Sequence, residues 1–161
     1  MNLITEMHFL GIILTSVIVK HILFELCKSK MDIDPDRLKQ SIMTFKMKPS
    51  IVLKGMIINM CIITPICEEL LFRYLPSILF SSSIYFIISV PIFGLYHAPN
   101  YFVYRKIFTK NESLKMVILH VVNACVTSAL CYMLFERYET IFPSLILHIM
   151  ENTYVCQQLY N

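Results

Sequence analysis

Glu68, Glu69 and Arg73, then His97, then His148 with Glu151 and Asn152, lie inside three apolar runs of the sequence. Ionisable groups at hydrocarbon depth are costly, so their presence there marks a site of chemistry by default. The residue types are those of a hydrolytic constellation. Carboxylates and imidazoles accept and return the protons of a water molecule, and paired side-chain donors stabilise the charge that develops on a carbonyl oxygen.

Helical spacing sorts these residues. Glu69 and Arg73 are four apart and share a face, so an ion pair between them lowers the cost of burying both. Glu68 is rotated about 100° from Glu69 on a helix of about 3.6 residues per turn and points elsewhere, which makes it the free carboxylate and the candidate general base. The alternative is that both glutamates are satisfied by helix–helix hydrogen bonds and do nothing else. Phe93 and His97 repeat the spacing of four, so the phenyl ring can pack beside the imidazole and limit its rotamers. A lone histidine there also fits a satisfied core residue. His148 and Asn152 place an imidazole and a carboxamide on one face, two donors able to converge as an oxyanion hole. Glu151, three residues after His148, is an alternative partner for that histidine.

The elements that carry these groups must cross a membrane. Of the 161 residues, 57% are hydrophobic and only 16% charged, and the mean hydropathy is +0.63. A soluble domain normally carries about a quarter charged residues. Much of the charge that is present falls in one stretch from Lys28 to Lys48. A net charge of +3 without a basic patch interleaved with aromatics excludes nucleic acid as a partner and disfavours disorder. The six cysteines form no CxxC pair, so neither a disulfide framework nor a zinc knuckle is expected, and those in apolar stretches read as small buried hydrophobes. The N-terminus does not read as a secretory signal peptide.

Five apolar segments follow. The first, roughly His8 to Cys27, is interrupted by Lys20, His21 and Glu25; it either crosses the bilayer or lies partly in the interface. The charged stretch follows as the main extramembrane loop, with a short amphipathic helix around Arg37 to Phe45. The second segment, Ser50 to about Phe80, exceeds the ~20 residues that span a hydrocarbon core, so a kink at Pro65 or a break at Pro76 is expected. The third runs from about Ile84 to Tyr104, the fourth from Leu114 to Phe135, and the fifth from Thr140 to about Leu159 with Pro143 in its first turn. Lys and Arg concentrate between segments one and two and between three and four, which puts both loops in the cytoplasm and the N-terminus outside. The fold class expected is all-α: a polytopic transmembrane helical bundle of about four to five spanning helices. Residues 1–161 read as one membrane-embedded domain, with a motif-bearing core at about 50–159 and an N-terminal helix plus charged loop at 1–49. Counted from the basic loops, Glu68, His97 and His148 fall at different depths, which calls for tilt or for kinks at Pro65 and Pro91.

These residues also carry a resemblance. Thr64-Pro65-Ile66-Cys67-Glu68-Glu69-Leu70-Leu71-Phe72-Arg73 resembles the EExxxR motif of the CPBP intramembrane proteases, the Abi or CAAX-protease-and-bacteriocin-processing family, which includes the type II CAAX prenyl endopeptidases. Phe93-Gly94-Leu95-Tyr96-His97 matches that family's FxxxH motif, and His148-Ile149-Met150-Glu151-Asn152 its HxxxN motif. The three occur in the family's order on separate apolar helices, with Pro143 and Ser144 ahead of the last. Any one of them alone is a weak signal, and three in register are a strong one.

The resemblance implies hydrolysis of a peptide bond within the membrane. Glu68, helped by His97, would activate the water; His148 and Asn152 would stabilise the oxyanion; Arg73 would hold the geometry through Glu69, with Phe93 in support. No cofactor is required on this reading, since no HExxH-type spacing preorganises ligands; the alternative is a zinc ion held by Glu68, His97 and His148 with an open water position. The partners implied are membrane lipid and a prenylated CAAX protein or another membrane-associated peptide as substrate. The chain is shorter than many members, which implies either a minimal core or completion by a second copy or a helper subunit. Tyr74 stands where the family commonly has glycine, so altered helix packing beside the site is expected.

Two other functions use the same residue types. A non-catalytic scaffold or immunity-type binding protein could keep the fold, and a proton or ion pathway would use buried Glu and His but leaves the spacings of four unexplained. His120 and Asn123 read as interhelix hydrogen bonders. Asn111-Glu112-Ser113 fits a glycosylation sequon, in a loop expected to be cytoplasmic.

Overall fold

A computed structural model describes residues 50–160 together with six earlier positions, Gly11, Leu14, Thr15, Ile18, Val19 and Ile22. The first expected segment, the charged loop and its amphipathic helix fall, for the rest, outside the described residues. Among the described residues the protein is all helical, with no strand. Helix α1 spans Ser50–Leu79, α2 Ser82–Tyr96, α3 Asn100–Tyr104, α4 Lys110–Tyr138 and α5 Phe142–Tyr160. Helix α2 packs along α4, α4 along α5, α5 against the middle of α1 from Asn59 to Glu69, and the short α3 against α4.

Three stretches are long and apolar enough to cross a membrane: Ser50–Leu79, Ile84–Tyr104 and Lys110–Tyr138. Helix α5 has the length, at 19 residues, but carries the polar residues of the candidate site. The outer surface is apolar: Ile51 is 81% exposed, Phe102 71% and Ile87 69%. In water such a surface would aggregate; in lipid it is the solvated face. The interior is correspondingly polar, with Glu69, Arg73, Ser113, Ser128 and Ser144 fully buried. Two small apolar clusters complete it: Cys131, Leu134 and Leu147 between α4 and α5, and Phe72, Phe93 and Ala124 where α1, α2 and α4 meet.

Helix α1 does not break at Pro76. It runs its full 30 residues and absorbs each proline with a π-helical turn just ahead of it, Asn59–Ile63 before Pro65 and Leu70–Tyr74 before Pro76. A proline inside an α-helix removes one N–H and drives its ring into the carbonyl four residues back; widening the preceding turn relieves that clash. Helix α2 continues through Pro91 and ends at Tyr96. The chain then turns through His97, Ala98 and Pro99 before α3, so the third expected segment is two helices joined by a turn rather than one.

Helix α4 begins at Lys110, earlier than the apolar pattern alone indicated. The cause is a capping box: the Thr109 N–H donates to Glu112 Oε2 at 2.8 Å and the Glu112 N–H to Thr109 Oγ1 at 3.4 Å. The sequon residues Asn111, Glu112 and Ser113 therefore form the first helical turn, and Ser113 is fully buried with its hydroxyl donated to the Thr109 carbonyl at 2.7 Å. Helices α2 and α4 approach closely at Gly94, where a Cβ would overlap the Cys125 thiol and press on the Val121 carbonyl.

Candidate active site

Helix α1 contributes the carboxylates. Glu68 is 6% exposed and Glu69 fully buried, in the short α-helical turn between the two π-helical turns. Arg73, also fully buried, brings Nη1 to 3.2 Å from Glu69 Oε1, and its guanidinium carbon lies 4.4 Å above the centre of the Phe93 ring. The buried cation thus has a carboxylate on one side and the negative face of an aromatic ring on the other. Tyr74, the next residue, is half exposed on the outer surface of the helix, so its bulk does not crowd the site.

Helix α5 contributes His148, whose imidazole bridges the two adjacent glutamates. Nδ1 lies 2.9 Å from Glu69 Oε1, and Nε2 lies 3.3 Å from Glu68 Oε2. Sequence spacing pointed Glu68 and Glu69 in different directions; a ring with nitrogens on opposite edges reaches both. Glu151, by contrast, turns to α4 and accepts a hydrogen bond from Thr127 Oγ1 at 2.9 Å. The carboxylate that orients His148 is therefore Glu69.

Asn152, one turn beyond His148, donates Nδ2–H to the Met60 carbonyl at 2.8 Å. Proline chemistry explains why that carbonyl is available. In the π-helical turn, the Thr64 N–H bonds five residues back to Asn59. The next donor in that register is Pro65, which has no N–H. Met60 is left without a helical donor, and the carboxamide from α5 supplies one. The contact ties α5 to the turn that leads into Glu68 and Glu69.

Helix α2 contributes Phe93 and His97. The Phe93 ring centre is 4.9 Å from the His97 ring and 5.7 Å from the His148 ring, and 5.2 Å from Phe72. Arg73, His97 and His148 therefore share one aromatic surface. His97 sits at the end of the helix with Nδ1 2.9 Å from the Phe93 carbonyl. A carbonyl only accepts, so Nδ1 carries a hydrogen, which in the neutral ring leaves the lone pair on Nε2. His97 lies within electrostatic reach of Glu68. The zinc alternative, Glu68, His97 and His148, is not assembled as a three-ligand set among the described residues.

Beside His97 lies a group that spacing did not reveal. His120 of α4 packs its ring 4.9 Å from that of His97, and its Nδ1 meets the Tyr104 hydroxyl at 2.8 Å and Asn100 Nδ2 at 3.3 Å. A polar residue in a clean apolar helix was the available signal, and its hydrogen bonds between helices were expected. The neighbour they serve was not, because α4 meets the end of α2 only in the folded bundle. The cysteines divide similarly: Cys61, Cys131 and Cys156 are buried, with Cys61 Sγ 3.3 Å from Cys156 Sγ, whereas Cys67 is exposed.

The fold and site together define an all-helical integral membrane protein with paired carboxylates and imidazoles set into its helix walls. A family model for Rce1-like type II CAAX prenyl endopeptidases matches residues 50–154. The chain belongs to this family, whose members are CAAX-type intramembrane endopeptidases. No curated protein and no solved structure matches the chain.

Proposed function

We propose that this chain hydrolyses a peptide bond at the membrane, with a prenylated CAAX protein or another membrane-associated peptide as substrate and without a metal ion. The observation that carries this reading is the buried set Glu69–His148–Glu68, in which one imidazole spans two carboxylates at 2.9 and 3.3 Å. Glu68, helped by the unprotonated Nε2 of His97, takes a proton from water as the water oxygen bonds to the scissile carbonyl carbon. The carbonyl oxygen becomes an oxyanion. A hydrogen on His148 Nε2 and the second amide hydrogen of Asn152 stabilise it, while the Nδ1–H of His148 stays on Glu69. As the C–N bond breaks, Glu68 returns the proton to the leaving amine. Arg73 neutralises Glu69 and fixes the ring surface on which both histidines rest.

The test uses the purified full chain in detergent with a prenylated CAAX-type peptide. Glu68→Gln and His97→Ala each abolish cleavage while the protein still inserts and keeps its helicity, and a zinc chelator leaves the wild-type rate unchanged. Cleavage that survives both substitutions would overturn the peptidase assignment, and cleavage lost to the chelator and restored by zinc would overturn the metal-free one.

A further inference from the structure

The geometry points to His120, held by Asn100 and Tyr104, as the residue that positions His97 for proton transfer. The inference rests on the role proposed for His97 above. The single hydrogen bond from His97 Nδ1 to the Phe93 carbonyl sets the tautomer only while the ring plane keeps Nδ1 on that carbonyl, and rotation of an imidazole about its outer torsion is soft. Neighbouring rings must fix the plane. Phe93 and Tyr96 pack at 4.9 and 5.5 Å, but both belong to the helix that His97 itself terminates and move with it. His120, at 4.9 Å and a tilt of 46°, comes from α4 and ties the imidazole to the body of the bundle.

His120 is itself held. Asn100 Nδ2 can only donate, so Nδ1 of His120 is an acceptor and its ring hydrogen sits on Nε2. The Tyr104 hydroxyl meets the same nitrogen at 2.8 Å. Asn100 and Tyr104 are four apart, on one face of α3, the helix that begins just past the turn containing His97. The backbone thus leaves His97, turns, and docks onto the very side chain that packs against His97. Outer partners that orient metal-ligating histidines are worth about ten- to a hundredfold in activity, and an effect of that size is expected for a histidine positioned for proton transfer.

The test compares His120→Ala, Tyr104→Phe and the double variant, in the purified full chain with the same peptide. His120→Ala lowers kcat by about ten- to a hundredfold with KM little changed. Tyr104→Phe, which removes one oxygen and leaves the packing, gives part of that loss, and the double variant is no worse than His120→Ala alone. Nitrogen-15 NMR of labelled histidine, with the His97 signals assigned by His97→Gln, reads the same effect without turnover: one Nδ1–H tautomer of His97 in the wild type, a mixture of tautomers in His120→Ala. An unchanged kcat with a single tautomer overturns the inference, as does a loss confined to KM or one that follows the unfolding temperature while the His97 spectrum stays fixed. If the wild type cleaves nothing, or His97→Ala cleaves like the wild type, the peptidase reading fails, and the His97 spectrum still decides the positioning role.

Discussion

His148 on the last helix donates Nδ1–H to Glu69 on the first described helix, at 2.9 Å and across 79 positions of sequence. The same Glu69 oxygen pairs with Arg73 at 3.2 Å. One carboxylate therefore balances a buried guanidinium and orients a histidine ring, the arrangement that lets the opposite nitrogen of the ring face Glu68.

Glu69→Gln is expected to damage both stability and catalysis. It removes the carboxylate charge that pairs with Arg73 at 3.2 Å, and breaking a buried pair from one side costs about 3–5 kcal/mol. It also loosens the orientation of the His148 ring. Thermal unfolding in detergent should show the stability loss, and cleavage assays at a temperature where the variant is folded should show a rate reduction of about 10²–10⁴-fold. A variant that unfolds and cleaves like the wild type would contradict both roles.

Asn152 and Pro65 are expected to be energetically coupled. Asn152→Ala strands the Met60 carbonyl and costs about 1–3 kcal/mol. In a Pro65→Ala background the backbone regains an N–H that can serve that carbonyl, so the same Asn152 substitution should cost less by at least about 0.5 kcal/mol. Additive unfolding energies in the four-protein cycle would show that the carboxamide does not compensate for the proline.

Gly94→Ala should weaken the packing of α2 on α4, since the added methyl meets the Cys125 thiol and the Val121 carbonyl. Overpacking of this kind costs about 1–3 kcal/mol. Cys125→Ala in the same chain should recover part of the loss. Equal stability of Gly94→Ala and wild type would mean that the two helices separate at no cost.

Phe93→Leu tests whether the shared aromatic surface matters beyond its volume. Leucine keeps an apolar side chain but loses the cation–π contact with Arg73, worth about 0.5–2 kcal/mol, and the ring on which His97 and His148 rest. The expected outcome is a modest drop in unfolding temperature with a larger drop in kcat than in KM. If the rate is unchanged, the ring has only a packing role.

Much of this was legible in the chain. Apolar runs longer than ~20 residues force helices, because a backbone in lipid must satisfy its own hydrogen bonds. The spacing of four between Glu69 and Arg73, and between Phe93 and His97, is local geometry, and both contacts are present in the fold. Pro65 and Pro76 announced an irregularity in α1 but not its form, since a kink, a break and a widened turn all answer the same missing N–H. The capping box at Thr109 and Glu112 was readable by its spacing and extends α4 beyond its apolar pattern.

What the sequence determined by itself is therefore whatever depends on neighbours within one helix: the membrane class, the helical segments, the ion pair and the three motif-bearing faces. The tertiary structure alone decided which partner each polar group takes between helices. It gave His148 to Glu69 and Glu68 rather than to Glu151, Asn152 to the carbonyl that Pro65 leaves open, and His120 to His97. The reason is physical. A buried polar group must find a partner, but several in range satisfy the same requirement, and only the rotation and depth of each helix against its neighbours choose among them.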